Sequence, residues 1–368
     1  MAKKNFDFLD GFDKEVSKID GVSLTDEPPR YWYSTGNYVL NKIISGSFSK
    51  GIPQGRITDL AGPSGAGKSF ISANLLAAAQ KQGAYCVVID SENALTTDFV
   101  SKIGVDTSNN YKYIKASTIP QVTKVVSLFL KQYKESVGDD DDAPQVLILI
   151  DSLDMLVTET ELEHFDKGIT KGDQGQKNKQ LKAMLRTFVH AIEHLNVAMI
   201  CTSQVYKNQD VMNGEGVWIV SDAVKYACSQ IILINKRKLK DESKGAKVGD
   251  VAGVRMICEG YKTRFTKPFQ KVEIEVPYEV GMDPLSGIIE VAKKAGVIEQ
   301  RGSYYTMAGE TDKWYAKDIA PYVDRIIAEL DGQSSTFLDA DGEIDVSDNV
   351  SAKERRKAKY SSQESDAE

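Results

Sequence analysis

The chain has few cysteines and few histidines. Four of its 368 residues are cysteine and three are histidine. The cysteines lie far apart and form no C-x-x-C pair, so we expect buried free thiols in a reducing compartment rather than a zinc or redox site. His190 and His194 could bind a metal from one helix face, but the H-E-x-x-H glutamate is missing, which favours a solvated face.

Two further absences limit the class of protein. No signal peptide and no long apolar span is visible, which predicts a cytoplasmic protein without a membrane partner. The formal net charge of −7 argues against a uniformly basic surface. A local basic stripe would still allow nucleic-acid binding.

Residues 62–69 read GPSGAGKS and fit the phosphate-loop pattern G-x-x-x-x-G-K-[ST]. Glycines let backbone N–H groups converge on phosphates, Lys68 adds a positive charge, and the Ser69 hydroxyl can bind Mg²⁺. A strand-like run precedes the segment and a helix follows it, whose N-terminus favours an anion. We predict an ATP or GTP site formed by Gly62, Pro63, Ser64, Gly65, Ala66, Gly67, Lys68 and Ser69.

Strands and helices alternate between about residues 30 and 280. Apolar, β-branched runs separated by helices predict an α/β core with a mostly parallel sheet that is buried on both faces. We expect four regions: an N-terminal helix and linker (1–29), the core (30–282), a small C-terminal α+β domain (283–331) and a disordered acidic tail (332–368).

Apolar residues recur at helical spacing near the N-terminus, which predicts a short amphipathic helix. They are Phe6, Leu9, Phe12, Val16 and Ile19, with Phe8 beside them. The helix could pack on its own domain or dock on a neighbouring subunit, and the pattern favours neither.

Three strand-like runs end in polar residues, at the edge where parallel sheets place their chemistry. Asp151 is the expected carboxylate for Mg²⁺, bound through water. Glu92, just after Asp90, could polarise the water that attacks a γ-phosphate, and a surface acid is the alternative. Gln204 could sense that phosphate, or it could be an ordinary strand-ending amide.

Several motifs resemble those of bacterial RecA recombinases. Residues 89–95 (IDSENAL) and 102–106 (KIGVD) resemble I-D-A-E-H-A-L and K-L-G-V-D, while 34–36, 51–57 and 150–152 resemble S-T-G, G-L-P-x-G-R-I and V-D-S. The similarity covers roughly residues 30–330, and its divergence resembles that of phage UvsX-type recombinases. Asn93 replaces the usual histidine, and Val220-Ser221-Asp222 replaces a Gly-Gly pair.

The resemblance implies a RecA-like P-loop ATPase core and roles for individual residues around ATP. Glu92 is implied as the catalytic base and Gln204 as the γ-phosphate sensor. Phe99 falls where the family places an aromatic ring against adenine. Lys262 and Arg264 resemble two basic residues that reach the ATP of the neighbouring subunit, and an exposed strand edge is the alternative.

The resemblance also implies DNA-binding segments and interfaces. Residues 163–176 and 205–220 match the two DNA-binding loops of the family. Candidate DNA contacts are Lys177, Lys179, Lys182, Arg186, Lys207, Val211, Met212 and Trp218, with a solvated helix face or a subunit contact as alternatives. Lys225 and Tyr226 resemble a K-F pair at the start of the next helix, and with Phe6, Phe8, Leu9 and Phe12 they are candidate interface residues.

The implied function is an ATP- and Mg²⁺-dependent recombinase. It would form a helical filament on single-stranded DNA, pair it with a homologous duplex and exchange strands in recombination and repair. Single-strand-binding and mediator proteins are candidate partners. A RecA-type ring helicase and a P-loop phosphotransferase are the alternatives.

Overall fold

The computed structural model describes residues 7–19, 22, 24, 28–138, 140, 142–169, 175–207, 218–240, 250–278 and 281–332. The chain divides into two compact units, Met1–Ser286 and Gly287–Glu368. The sequence predicts this boundary at residue 283. Except for Gly332, the predicted acidic tail lies outside the described residues. In the described part of the chain, no helix is long and apolar enough to span a membrane.

The first unit alternates helices and strands along the chain. Its helices are α1 (Asp7–Val16), α2 (Tyr38–Ser45), α3 (Lys68–Lys81), α4 (Thr97–Ile103), α5 (Ile119–Val137), α6 (Glu159–Asp166), α7 (Gln176–Ile192) and α8 (Asp222–Ala227). Its strands are β1 (Trp32–Tyr33), β2 (Ile52–Pro53), β3 (Ile57–Ala61), β4 (Tyr85–Asp90), β5 (Tyr111–Lys115), β6 (Val146–Asp151), β7 (Val197–Ser203), β8 (Tyr206–Lys207), β9 (Trp218–Ile219), β10 (Gln230–Lys240), β11 (Val251–Lys262) and β12 (Lys271–Pro277).

One eight-stranded sheet organises this unit, in the order β12-β11-β10-β3-β7-β6-β4-β5. All pairs from β10 to β5 are parallel, whereas β11 pairs antiparallel with β10 and β12. The predicted α/β class with a mostly parallel sheet is therefore confirmed. The antiparallel extension through β11 and β12 is an addition to the expected pattern.

The central strands are buried along their whole length. Every residue of β3, β6 and β7 is buried. On one face, α5 and α7 contribute Leu130 and Phe188 to a cluster that includes Ile148 of β6. Continuous apolar runs in these strands are needed because a parallel sheet is covered by helices on both faces.

The two predicted DNA-binding segments contain regular structure at their ends. In the segment 163–176, α6 extends to Asp166 and α7 begins at Gln176, so the expected loop is shorter than predicted. In the segment 205–220, β8 and β9 form an antiparallel pair. Val211 and Met212 lie outside the described residues, and only the backbone of Lys207 and Trp218 is described.

The N-terminal helix exposes its apolar side chains. In α1, Phe8 is 67% exposed, Leu9 52% and Phe12 60%, and Phe6 lies outside the described residues. These three side chains are therefore not part of the core of their own domain, and docking of the helix on a neighbouring subunit stays a prediction. All four cysteines are buried free thiols, as predicted.

The second unit is a small α+β fold. It contains α9 (Ile288–Lys294), β13 (Ile298–Arg301), β14 (Tyr304–Met307), β15 (Trp314–Tyr315), two short 3₁₀ turns and α10 (Val323–Gly332). The strands form an antiparallel sheet in chain order. Trp314 stacks between Tyr305 and Tyr322, with ring centroids 5.0 and 5.1 Å away, and these rings form its aromatic centre.

Two leucines of α5 provide a test of where the core lies. Leu130 is 4% exposed and belongs to the core cluster, whereas Leu128 is 52% exposed. Leu130→Ala should reduce the free energy of unfolding by about 2–5 kcal/mol, because it removes buried methyl groups and leaves a cavity. The matched control Leu128→Ala should change it by less than about 1 kcal/mol. Urea denaturation measures both, and equal losses would contradict the assigned packing.

Candidate nucleotide site at the carboxyl edge of the sheet

Parallel pairing brings the predicted site residues to one edge of the sheet. The register places Ala61 of β3 beside Ser203 of β7, and Asp90 of β4 beside Asp151 of β6. The phosphate loop follows β3, Glu92 follows β4 and Gln204 follows β7. Four segments that are far apart in sequence therefore meet where β3, β7, β6 and β4 end.

The phosphate loop depends on its glycines for space and conformation. A Cβ on Gly62 would lie 2.4 Å from the Ile234 carbonyl oxygen, so no larger residue fits without moving backbone. Gly65 and Gly67 have φ angles of +70° and +102°, which L-residues with a Cβ rarely adopt. The loop then leads directly into α3 at Lys68.

Lys68 is held over the phosphate loop. Its Nζ donates to the carbonyl oxygens of Gly62 (2.9 Å) and Pro63 (3.1 Å). Burial lowers the pKa of Lys68, and the nearby carboxylates, first Glu92 and then Asp151, oppose that shift. The ammonium is thus surrounded by acids that follow the neighbouring strands.

Asp151 offers a carboxylate oxygen that fits a metal site. The side chain is 1% exposed and accepts a hydrogen bond from the Thr202 hydroxyl. Its Oδ2 is buried and has no hydrogen-bond partner among the described residues. Burial raises the pKa of Asp151, which the Thr202 and Ser69 hydroxyls counteract. A buried, unsatisfied carboxylate oxygen near a serine hydroxyl is a donor set that suits Mg²⁺, directly or through water.

Glu92 lies in a turn that is fixed by buried polar contacts. Asp90 Oδ1 accepts the Glu92 N–H at 2.9 Å, and Asp90 Oδ2 accepts the Leu95 N–H at 3.0 Å. The Ser152 hydroxyl donates to Glu92 Oε1. The Glu92 side chain is exposed, so its carboxylate is accessible to water at the edge of the sheet.

Phe99 lines a cavity of about 750 Å³ beside α3. Phe70 and Asn74 of α3 and Tyr278, just after β12, also line it. Aromatic rings around a concave space next to a phosphate loop can hold a nucleobase. The sequence did not predict a role for Tyr278, because the only signal in the sequence is an aromatic residue directly after a strand.

Lys262 and Arg264 lie away from the phosphate loop of their own chain. Met256 of β11 lies close to that loop, since its Cε would be 2.5 Å from a Cβ on Gly67. Lys262 lies six residues further along β11, which corresponds to about 20 Å. Its Nζ donates to the Lys225 carbonyl oxygen, and burial together with Arg264 lowers the pKa of Lys262.

Four predicted DNA-contacting cations, Lys177, Lys179, Lys182 and Arg186, lie on α7, whereas Lys207 lies on β8. Lys179, Lys182 and Arg186 are exposed, and the Lys182 Nζ is 4.0 Å from the Tyr226 ring centroid. Tyr226 is exposed in α8. With Lys225 it lies in the second half of that helix, not at its start as the resemblance implied. The structure thus places α7 and α8, the helices that follow the two predicted DNA-binding segments, side by side.

The parallel sheet with a phosphate loop at its carboxyl edge is an architecture of nucleotide-binding α/β proteins. The RecA N-terminal domain family matches residues 18–283 of this chain. Protein RecA of Aquifex aeolicus is 30% identical over 262 residues, which cover 70% of this chain and 69% of that relative. Protein RecA of Kineococcus radiotolerans is 26% identical over 361 residues, which cover 93% of this chain and 95% of that relative.

The chain belongs to the RecA family. This membership supports a RecA-type recombinase of recombination and repair, and an ATPase that uses ATP with Mg²⁺. Neither the ring helicase nor the phosphotransferase is favoured. The roles of the individual site residues stay predictions.

Asp59 is a buried acid beneath the phosphate loop. It lies on β3 and is 0% exposed, and the Ser203 hydroxyl donates to its Oδ2 at 2.7 Å. Its Oδ1 has no hydrogen-bond partner among the described residues. Burial raises the pKa of Asp59 to about 7, from an ordinary value of 3.8, and Ser203 opposes the shift. Between these two pKa values the folded protein therefore keeps the Asp59 carboxyl protonated, whereas the unfolded chain releases that proton.

Asp59→Asn should change how stability depends on pH. The pKa of Asp59 is higher in the folded protein than in the unfolded chain, so deprotonation favours the unfolded chain. The fold therefore loses stability as the pH rises from 3.8 to about 7. Asparagine cannot ionise, so the stability of the variant relative to wild type should rise by about 2–3 kcal/mol between about pH 5 and pH 8. Thermal unfolding at both pH values measures this difference. A difference that stays constant between the two pH values would contradict this prediction.

Proposed function

We propose that the chain is an ATP-dependent recombinase that forms a helical filament on single-stranded DNA and catalyses homologous pairing and strand exchange. The observation that carries the proposal is the meeting of the phosphate loop, Glu92, Asp151 and Gln204 at one edge of the sheet. Both predicted DNA-binding segments are connected to this edge, through β6 and β7. The divergence of the chain from the bacterial RecA motifs and its exposed N-terminal helix favour a UvsX-type member of the family.

ATP occupies the edge of the sheet in this proposal. The phosphate-loop amides and Lys68 bind the phosphates, and the cavity lined by Phe99 and Tyr278 accepts the base. Ser69 and Asp151 would hold Mg²⁺, which would supply positive charge against the phosphate oxygens. The unsatisfied Oδ2 of Asp151 supports this assignment.

Glu92 serves as the general base for hydrolysis. Its carboxylate is exposed at the edge of the sheet, and the Asp90 contact to its N–H and the Ser152 hydroxyl fix its position. It removes a proton from the attacking water, while Lys68 opposes the negative charge of the phosphate. Gln204 contacts the γ-phosphate and transmits its presence into the second DNA-binding segment.

The complete catalytic site requires a second copy of the chain. Lys262 lies about 20 Å along β11 from Met256, the residue of that strand that approaches Gly67 of the phosphate loop, and Arg264 follows the end of the strand. In this proposal both therefore act on the ATP of the neighbour. The exposed apolar side chains of α1 dock on the adjacent subunit. A head-to-tail contact of this kind propagates into a filament when the rotation between subunits does not close a ring.

DNA binding uses the exposed cations of α7. Lys179, Lys182 and Arg186 contact phosphates, which requires only a local basic surface despite the net charge of −7.

Two measurements test the proposed recombinase function against its alternatives. Single-stranded DNA should stimulate ATP hydrolysis, whereas a small-molecule kinase would be indifferent to DNA. Electron microscopy should show continuous helical filaments, and closed hexamers alone would support the ring helicase instead.

Glu92→Gln should separate nucleotide binding from hydrolysis. The amide keeps the size of the side chain but cannot accept the proton of water, so turnover should fall by about 10²- to 10⁴-fold. Binding of ATP and single-stranded DNA should be retained. Steady-state hydrolysis and binding of a fluorescent oligonucleotide measure the two effects, with Glu135→Gln as the matched control. Near-normal turnover would remove Glu92 from this role.

Lys262→Ala and Arg264→Ala should act on the neighbouring subunit. Each should lower DNA-stimulated hydrolysis, by about 10³-fold if the group stabilises the transition state as an arginine finger does. Mixing either variant with Glu92→Gln should restore part of the activity, because some interfaces then combine intact groups from both chains. Lys271→Ala on the adjacent strand is the matched control. Mixed filaments that form without regaining activity would contradict a shared site.

A further inference from the structure

Asp154 lies in the turn between β6 and α6, three residues after Asp151. The turn stays close to β7, because the Leu153 N–H donates to the Thr202 carbonyl oxygen at 3.0 Å. The Asp154 side chain is half-buried. It belongs to no recognised motif, since the family-like run 150–152 ends two residues before it.

The Asp154 carboxylate binds two residues that flank the end of β7. Its Oδ2 accepts the Gln204 N–H at 2.6 Å, and its Oδ1 accepts the Tyr206 hydroxyl at 3.0 Å. Tyr206 begins β8, which lies at the start of the second predicted DNA-binding segment and pairs with β9 at its end. The carboxylate thus determines the direction in which the chain leaves β7.

A third contact reaches the other predicted DNA-binding segment. The main-chain carbonyl oxygen of Asp154 accepts a hydrogen bond from Lys177 Nζ, and Lys177 is the second residue of α7. The Asp154 charge also raises the pKa of Lys68 against the lowering effect of burial. One residue therefore contacts the candidate sensor, the second segment and the helix that follows the first.

We propose that Asp154 is a positioning residue that couples Gln204 to both predicted DNA-binding segments, so that ATP binding and DNA binding favour the same arrangement. The proposal rests on the proposed function. Hydrogen bonds to a charged acceptor are stronger than neutral ones, which makes a carboxylate suited to this position. When Gln204 moves toward a γ-phosphate, its backbone, Asp154 and Tyr206 move together.

The test measures the coupling between the two ligands. The dissociation constant of a fluorescent oligo-dT is determined by anisotropy with and without a non-hydrolysable ATP analogue, and the ratio of the two is the coupling factor. For wild type we expect a factor of about 5 to 150. Asp154→Ala should bring it close to 1, while the affinity for the analogue without DNA changes by less than about threefold.

Tyr206→Phe separates positioning from charge. This variant keeps the carboxylate and removes only the hydroxyl that Asp154 Oδ1 accepts, so it should lower the coupling factor by at least about twofold. In the double variant with Asp154→Ala, the hydroxyl has no partner left, and its removal should have no further effect. Glu135→Ala and Tyr315→Phe are controls at exposed positions and should leave the factor unchanged.

The outcomes distinguish this proposal from the proposed function. Wild type that neither binds oligo-dT nor couples it to the analogue would contradict the proposed function itself. Wild type that couples the two, with both variants within about twofold of its factor, would overturn only the role of Asp154. If Asp154→Ala fails to fold, Tyr206→Phe decides. A weaker analogue affinity without DNA, together with a lower melting temperature, would indicate a merely structural role and would also overturn it.

Discussion

Parallel pairing of β3, β7, β6 and β4 is the constraint on which the rest of the structure depends. It ends four buried strands at one edge, so that the phosphate loop and the residues after each strand lie together. Acids collect there without enough partners, and Asp59 Oδ1 and Asp151 Oδ2 have no hydrogen-bond partner among the described residues. Lys68 is the cation in their midst. An edge built in this way favours a cationic ligand such as Mg²⁺ together with phosphate.

The antiparallel strand β11 places a candidate site residue away from this edge. Because β11 runs antiparallel to β10, its last residue, Lys262, pairs with Ile231 near the start of β10 and not at the carboxyl edge. The apolar side chains of α1 are exposed in a single chain. Both features are explained if the chain works as a series of identical subunits, each of which completes the nucleotide site of the next.

The sequence predicted the parts of this arrangement that a local pattern determines. The phosphate loop follows from its spacing of glycines, lysine and serine, and Asp151 follows from an apolar run that ends in an acid. Tyr278 and Asp154 were not predicted, because their contacts depend on how distant strands are paired and each lies in an irregular segment. The start of the segment 163–176 was wrong, because a Thr158–Glu161 capping box stabilises α6, whose last residue is Asp166.

The central claim is that ATP binding at this edge prepares the chain to exchange DNA strands. A strand-exchange assay between a single strand and a homologous duplex tests it most directly, with ATP, with a non-hydrolysable analogue and without nucleotide. The account predicts joint molecules with ATP and with the analogue, because binding alone orders the DNA segments, and none without nucleotide or with a non-homologous duplex. DNA-stimulated hydrolysis with no homology-dependent joint molecules under any of these conditions would contradict it.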